Sequence, residues 1–289
     1  MKVAIIGGSG KMGRWLAHFL LKEGKEVVIT GRNQSKLLEA KEQLGVEAAT
    51  NVEAVKNADV VVLSVPIDNF EAVVEQISPY IRPEQVVIDI TSIKVLPVEI
   101  MHQYIKTGLV LGIHPLFGPG ASSIANHNFV LTPTNDAERA LAQKVKEYLE
   151  ARGARAILMA PSEHDEMMSI ILGLCHFIAL VSADTLLSLD KLKQMEAIGG
   201  TTYKVLLTLV AGVVSEDPEL YASLHMRLPN MVEIEALFQE RVETWAELVR
   251  KGKRRQFIQR MCRLKDRLKE ENPDFEKAYE NMYKLVERL

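Results

Sequence analysis

Cysteine is scarce in this 289-residue chain. There are two, Cys175 and Cys262, too few for a disulfide framework. Cys175 falls in an apolar helical pattern that predicts a buried thiol. The pair suits a reducing compartment, and a cytoplasmic location is the expectation. Charge of one sign is also missing. The formal net charge is −3, with charged residues at 25% and no block of like charge, so neither nucleic acid nor an anionic membrane is an expected partner. Only four apolar residues stand between Met1-Lys2 and Gly7, short of a signal-peptide core. No uninterrupted apolar stretch reaches the ~18 residues of a membrane span; the nearest, 167–181, carries His176. Histidine and cysteine never fall at metal-ligand spacing, so no metal is expected.

Apolar residues make up 47% of the chain, the proportion of a globular protein, and its length suits two domains. Apolar runs at 3–6, 26–30, 59–65, 85–90, 109–113, 129–132 and 156–159 predict strands. Helical patterns at 11–22, 35–44, 69–77 and 136–152 lie between them. This alternation predicts parallel βαβ units, an α/β doubly wound sheet of Rossmann type over 1–162. From 163 onward no strand pattern remains. Helical patterns cover 163–189, 193–214, 218–225, 231–251, 255–270 and 273–289. The second domain, 163–289, is therefore expected to be all-α. The first two of these patterns carry more apolar surface than a small bundle needs, and a homodimer interface is the simplest use for the excess.

Gly8-Ser9-Gly10-Lys11-Met12-Gly13 reads GxGxxG directly after the first strand and opens the first helix. In that context the glycines let backbone approach a pyrophosphate, and the helix N-terminus supplies donors to it. Gly8 is expected to make the tight turn and Gly13 the close packing. An acid after the second strand would bind the ribose hydroxyl of NAD. This chain instead has Thr30-Gly31-Arg32-Asn33-Gln34-Ser35-Lys36, whose basic residues suit a 2′-phosphate. The expected cofactor is NADP, with NAD possible, held also by Asn33 and by the strand-end segments Ser64-Val65-Pro66 and Thr91.

Open parallel sheets bind ligands beyond the carboxyl ends of their strands. Two further segments end there. One is Asp89-Ile90-Thr91-Ser92-Ile93-Lys94. The other is Gly112-Ile113-His114-Pro115-Leu116-Phe117-Gly118-Pro119-Gly120. The second is a rigid loop with a titratable residue at its base, so His114 is the candidate general base. His164 is expected near the start of the 163–189 helix. His176, twelve residues later, is open to either a packed or a functional role. His18, His102, His127 and His225 have no supporting context.

With these segments in view, the chain resembles the prephenate dehydrogenase family over nearly its whole length. The resemblance rests on the glycine loop, on 89–94, and above all on Leu111-Gly112-Ile113-His114-Pro115-Leu116-Phe117-Gly118-Pro119. Glu163-His164-Asp165, His176-Phe177 and Asp217-Pro218-Glu219-Leu220-Tyr221 extend it. It implies a Rossmann domain followed by a helical dimerisation domain, with no length left for a fused mutase or regulatory domain. It also implies oxidative decarboxylation of prephenate, or of its amino counterpart arogenate, with a nicotinamide cofactor. On it, His114 is the catalytic histidine hydrogen-bonded to the ring hydroxyl. Ser92, also expected to be catalytic, and Lys94 lie near substrate and cofactor, and His176 lines the substrate cavity. Several relatives carry a carboxylate-binding arginine about nine residues after the position of Tyr221. Here that position is Asn230, beside Pro229, and Arg227 is the candidate replacement. Rossmann reductases of imines, hydroxy acids or a deazaflavin share the two-domain plan, and a redox-sensing module would share the glycine loop. Neither alternative requires the His114 segment.

Overall fold

A computed structural model describes residues 1–287. Contacts divide it into a unit running from Met1 to Met168 and a second beginning at Ser169. The division falls six residues beyond the expected boundary because 161–168 packs with the sheet unit.

In the first unit the strands are β1 (Lys2–Ile6), β2 (Glu26–Ile29), β3 (Glu47–Ala48), β4 (Val60–Leu63), β5 (Val86–Asp89), β6 (Leu109–Pro115), β7 (Asn128–Thr132) and β8 (Arg155–Leu158). Its helices are α1 (Lys11–Lys22), α2 (Gln34–Leu44), α3 (Asn51–Lys56), α4 (Phe70–Ile77), α5 (Val95–Tyr104), α6 (Asp136–Glu150) and α7 (Pro161–Met168). All eight strands join one sheet in the order β3-β2-β1-β4-β5-β6-β7-β8. The first six are parallel and have the 3-2-1-4-5-6 order of a Rossmann fold. Their apolar runs are continuous because both sheet faces are covered. On one face Ala4, Ile6, Val61 and Leu63 pack with Phe70, Val74 and Met101. On the other Val3, Ile5, Val27 and Ile29 pack with Ala17, Leu37 and Ala40.

Four features depart from the sequence reading. The two-residue β3 was not expected, nor were α3 and α5. Helix α3 is set by a capping box in which the Thr50 side chain accepts from the Glu53 amide and the Glu53 carboxylate accepts from the Thr50 amide. The sheet is also not wholly parallel, since β7 runs antiparallel to β6. A parallel return needs a long crossover, usually a helix, and the segment 116–127 forms none.

The second unit is helical throughout its described residues. A π-helical stretch, Ser169–Leu174, precedes α8 (Cys175–Ser188), α9 (Leu192–Ile198), α10 (Thr201–Val214), α11 (Pro218–Arg227), α12 (Met231–Arg250), α13 (Arg254–Glu271) and α14 (Ala278–Val286). The helix expected over 193–214 is two, broken at Gly199-Gly200, where the chain is extended. The last expected helix begins as a 3₁₀ turn, Phe275–Lys277, and its residues 288 and 289 lie outside the described ones. Cys175 is exposed on this chain, not buried. It is the first residue of α8, one turn before the buried Ala179. By length and composition alone the helical run Pro161–Ser188 is apolar enough to cross a membrane, although His176 and other polar residues interrupt it. Its first turns nevertheless bury His164 and Asp165 against protein.

Candidate active site

The glycine loop joins β1 to α1. The residue with a left-handed backbone is Gly7, at φ 86°. A Cβ there would lie 2.2 Å from the Ser64 carbonyl oxygen. The tight turn expected at Gly8 is thus made one residue earlier, and Gly8 packs on Ile29. Helix α1 starts from Gly10, which has no side chain to cap it. The first amides of a helix have no partner within the helix and suit an anion. A Cβ on Gly10 would meet only the Gly7 carbonyl oxygen, at 3.3 Å, so a ligand can come close to the backbone. This cradle fits a pyrophosphate. Ser9 lies between Gly8 and Gly10, and Lys11, Met12 and Gly13 form the first turn of α1. Ser64, Val65 and Pro66 follow the adjacent β4, whose Leu63 pairs with Ile6. Beyond β2, Arg32, Asn33, Ser35 and Lys36 are exposed, and the Asn33 side chain caps α2 by accepting from the Lys36 amide at 3.0 Å.

His114 lies near the end of β6 and is 95% buried. Its Nδ1 is 2.9 Å from Nε2 of His164 on α7. His164 Nδ1 lies 2.7 Å from Asp165 Oδ1. A carboxylate only accepts, so His164 donates from Nδ1 and its Nε2 carries the lone pair. His114 must then donate from Nδ1, which leaves its own lone pair on Nε2. Asp165 is anchored by the start of α5: Lys94 N donates to Oδ1 at 2.7 Å and Val95 N to Oδ2 at 2.9 Å. Burial, then the neighbouring His164 and Lys94, hold the His114 pKa well below the usual imidazole value. Burial also lowers that of His164, against the pull of Asp165. His114 is therefore a neutral base of fixed tautomer. The sequence reading found His114 but not its partner. The adjacent Glu163-His164-Asp165 triplet was the only signal available.

Lys94 stands elsewhere than expected. Its side chain is completely buried, and Nζ donates to Asp89 Oδ2 and to the Ile113 carbonyl oxygen, the latter at 3.1 Å. It crosses β6 at Gly112, where a Cβ would meet Lys94 Cδ at 3.2 Å and Thr132 Oγ1 at 2.4 Å. An ammonium so enclosed does not face a ligand. Burial lowers its pKa and the Asp89 carboxylate opposes that shift. Asp89 Oδ1 also accepts from the Thr91 amide at 2.7 Å, and Thr91 Oγ1 donates to the Ile93 carbonyl oxygen. Thr91 and Ser92 are half-buried in this tied loop. Since Asp89 pairs with Gly112 across β5 and β6, Ser92 and His114 leave adjacent strand ends.

In the second unit, the His176 ring packs tilted against Tyr221 at 4.5 Å and lies 6.0 Å from His225 between ring centroids. Burial lowers His176 to about 4. His176 Nδ1 and His225 Nε2 are buried without hydrogen-bond partners, so His225, which had no context in the sequence, joins this cluster. Arg227 is exposed at the end of α11. Asn230 is left-handed, at φ 57°, a conformation asparagine tolerates better than arginine. The turn before α12 thus accounts for asparagine at this position.

The family description "Prephenate dehydrogenase, nucleotide-binding domain" matches residues 16–158, and "Prephenate dehydrogenase, dimerization domain" matches 160–263. The chain belongs to the prephenate dehydrogenase family. It is 32% identical over 265 residues to a probable arogenate/prephenate dehydrogenase of Methanocaldococcus jannaschii, covering 90% of this chain and 59% of that protein. The chain spans about three-fifths of the length of this relative and of the T-proteins of Haemophilus influenzae and Enterobacter agglomerans. A 100-residue match at 39% identity links it to an F420-dependent NADP reductase of Methanothermobacter thermautotrophicus, covering 32% of this chain and 43% of the reductase. The fold is that of prephenate dehydrogenase from A. aeolicus, solved with hydroxyphenyl propionate and NAD+: the TM-score is 0.77 at 21% identity, over 94% of this chain and 98% of that one. Both halves of the family's architecture are therefore present. The nucleotide-binding match ends at 158, the last residue of β8, and the dimerization match begins at 160, before α7.

Proposed function

We propose that this chain is an NADP-dependent dehydrogenase that oxidatively decarboxylates a cyclohexadienol acid, prephenate first and arogenate second. The observation that carries this reading is the Asp165–His164–His114 chain, which presents a neutral imidazole lone pair at the carboxyl edge of a nucleotide-binding sheet. When bound, the cofactor supplies the hydride acceptor. His114 Nε2 takes the proton of the ring hydroxyl as hydride leaves the same carbon. The ring carboxylate departs as carbon dioxide, its bonding pair completes the aromatic ring as the carbonyl pair moves onto oxygen, and that oxygen takes the proton back from His114. Asp165, acting through His164, offsets the positive charge that His114 gains. Ser92 is assigned beside His114, and Thr91 and 64–66 beside the cofactor. Lys94 acts from behind, as a buried cation that disfavours premature protonation of His114. His176, Arg227 and Asn230 are assigned to substrate on the family correspondence. The unpaired cysteines accord with a cytoplasmic enzyme.

The substrate is tested by supplying prephenate and arogenate, each with NAD and NADP, and following reduced cofactor. Prephenate with NADP should give the highest kcat/KM. A clear preference for arogenate moves the keto-versus-amino assignment, and no reduction with either acid removes the proposal.

The NADP assignment rests on Arg32, Ser35 and Lys36, exposed beyond β2 with no acid among them. The name of the Methanothermobacter relative accords with it. Arg32→Ala should lower kcat/KM with NADP about tenfold, from the loss of one charge-assisted contact, and leave the value with NAD within about twofold. Equal losses with both cofactors would show that Arg32 does not read the 2′-phosphate.

A homodimer is proposed for the second unit, where Leu187 and Ile198 are 61% and 87% exposed. Leu180, Val181, Leu209 and Val214 add to this uncovered apolar surface. Sedimentation at micromolar concentration should give twice the 32.4 kDa of one chain. A single-chain mass at that concentration contradicts it.

A further inference from the structure

The glycine loop and the segment that begins α2 are joined by one side chain that no part of the proposed reaction uses. Arg14 lies in the first turns of α1 and is largely enclosed. Its Nε donates to the Ser9 carbonyl oxygen at 3.1 Å. Nη2 donates to the Lys36 carbonyl oxygen at 2.9 Å. Nη1 donates to Glu39 Oε1 and to Gln43 Oε1, both at 2.9 Å. Gln43 Nε2 in turn donates to Glu39 Oε1 at 3.1 Å. Four of the five guanidinium N–H bonds are thereby taken by protein acceptors, so Arg14 has little left to offer a phosphate. It fixes distances instead. One end of the fork holds the pyrophosphate loop, and the other holds the backbone of Lys36 and the exposed side of α2. A second contact lies in the same seam: a Cβ on Gly31 would stand 2.2 Å from Ser9 Oγ, so the Ser9 side chain fills the space over the Gly31 backbone.

We infer that Arg14 is a positioning residue for cofactor selection. It sets the separation between the pyrophosphate loop and the Arg32–Lys36 segment, so that a ligand anchored at the first meets the basic side chains of the second. This inference rests on the NADP reading above. A free Arg32 or Lys36 on an untied loop would sample many positions and lose entropy on meeting a phosphate. Clamping the Lys36 carbonyl removes part of that cost beforehand. The effect falls on the 2′-phosphate, because the glycine loop that meets the 5′-phosphate side is also held by its own backbone bonds, Gly8 N to the Ile5 carbonyl oxygen and Gly10 N to that of Gly7.

The test uses the full chain and two probes, adenosine 2′,5′-bisphosphate and adenosine 5′-monophosphate, with affinities measured by calorimetry. Arg14→Gln should weaken the bisphosphate about tenfold, the scale of one lost preorganised charge-assisted contact, and change the monophosphate by less than twofold. Arg14→Lys keeps the charge but places its donors on one atom that cannot span four acceptors, so the same loss is expected. Glu39→Ala removes the exposed α2 anchor without touching α1, and a smaller loss in the same direction is expected from it. Wild-type affinity that is equal for the two probes would remove the NADP reading itself. With the wild-type preference intact, three results overturn the role of Arg14 alone: an Arg14→Lys chain that binds like wild type, equal losses for both probes, or no loss in the Arg14 and Glu39 variants.

Discussion

His114→Asn should lower kcat by about 10²–10⁴-fold, the range for losing a general base, while the affinity for NADP stays within about twofold. Asparagine keeps a hydrogen-bonding group at the end of β6 but cannot take the hydroxyl proton. The pH dependence carries the sharper signature. Burial, His164 and Lys94 all disfavour the imidazolium, so His114 titrates well below the ordinary imidazole value. The base is therefore in its active, neutral form at neutral pH and stays so as pH is lowered through 6.5. The kcat/KM of the wild type should hold through that value and fall only well below it. The residual activity of His114→Asn should lack that acidic limb. Near wild-type kcat with the same limb in His114→Asn would remove His114 from the mechanism. An acidic limb centred at the ordinary histidine value would mean that the enclosure seen around His114 does not act on it.

A comparably large effect is expected on stability from Lys94→Met. Methionine fills much of the lysine volume but leaves the Asp89 carboxylate, which is fully buried, without its cation. Removing one partner of a buried pair typically costs about 3–5 kcal/mol, because the remaining charge is uncompensated. Denaturant unfolding of the Lys94→Met chain should show a loss of that size. The double variant Asp89→Leu with Lys94→Met, which removes both charges, should recover most of it. In Lys94→Met protein that folds, the acidic limb of kcat/KM should move to higher pH, because the cation that disfavours His114 protonation is gone. A double variant as unstable as the single one would show that packing, not the stranded charge, sets the cost.

Most of the sheet unit was legible because its strands are buried on both faces and its turns carry glycine. Runs such as Val60–Leu63 admit few other readings. The short β3 pairs through Val28↔Glu47 and Ile29↔Ala48 and has no apolar run of its own. Helix α5 was missed because Pro97 interrupts its pattern and its buried residues, Pro97, Val98, Ile100 and Met101, wrap more than one side. The antiparallel β7 was implicit in a 116–127 segment without helical spacing, which cannot supply a crossover. At the site, His114 could be placed from its strand end, whereas His164 is fifty residues away and meets it only through the packing of α7. Lys94 misled for a related reason: sequence shows a cation near a ligand-binding edge, but only the gap at Gly112 shows that its chain turns inward to Asp89. Asn230 is read correctly only with its left-handed backbone in view.

The central claim is that one active site couples hydride transfer to loss of the ring carboxylate, with His114 taking the hydroxyl proton. The most direct measurement mixes the purified chain with prephenate carrying an isotopic label in its ring carboxylate and with NADP, and follows reduced cofactor and labelled carbon dioxide together. The account predicts that both appear at the same rate and in equal amounts, and that His114→Asn slows both by the same factor. Cofactor reduction without carbon dioxide, carbon dioxide without cofactor reduction, or coupled turnover that persists at wild-type rate in His114→Asn would contradict it.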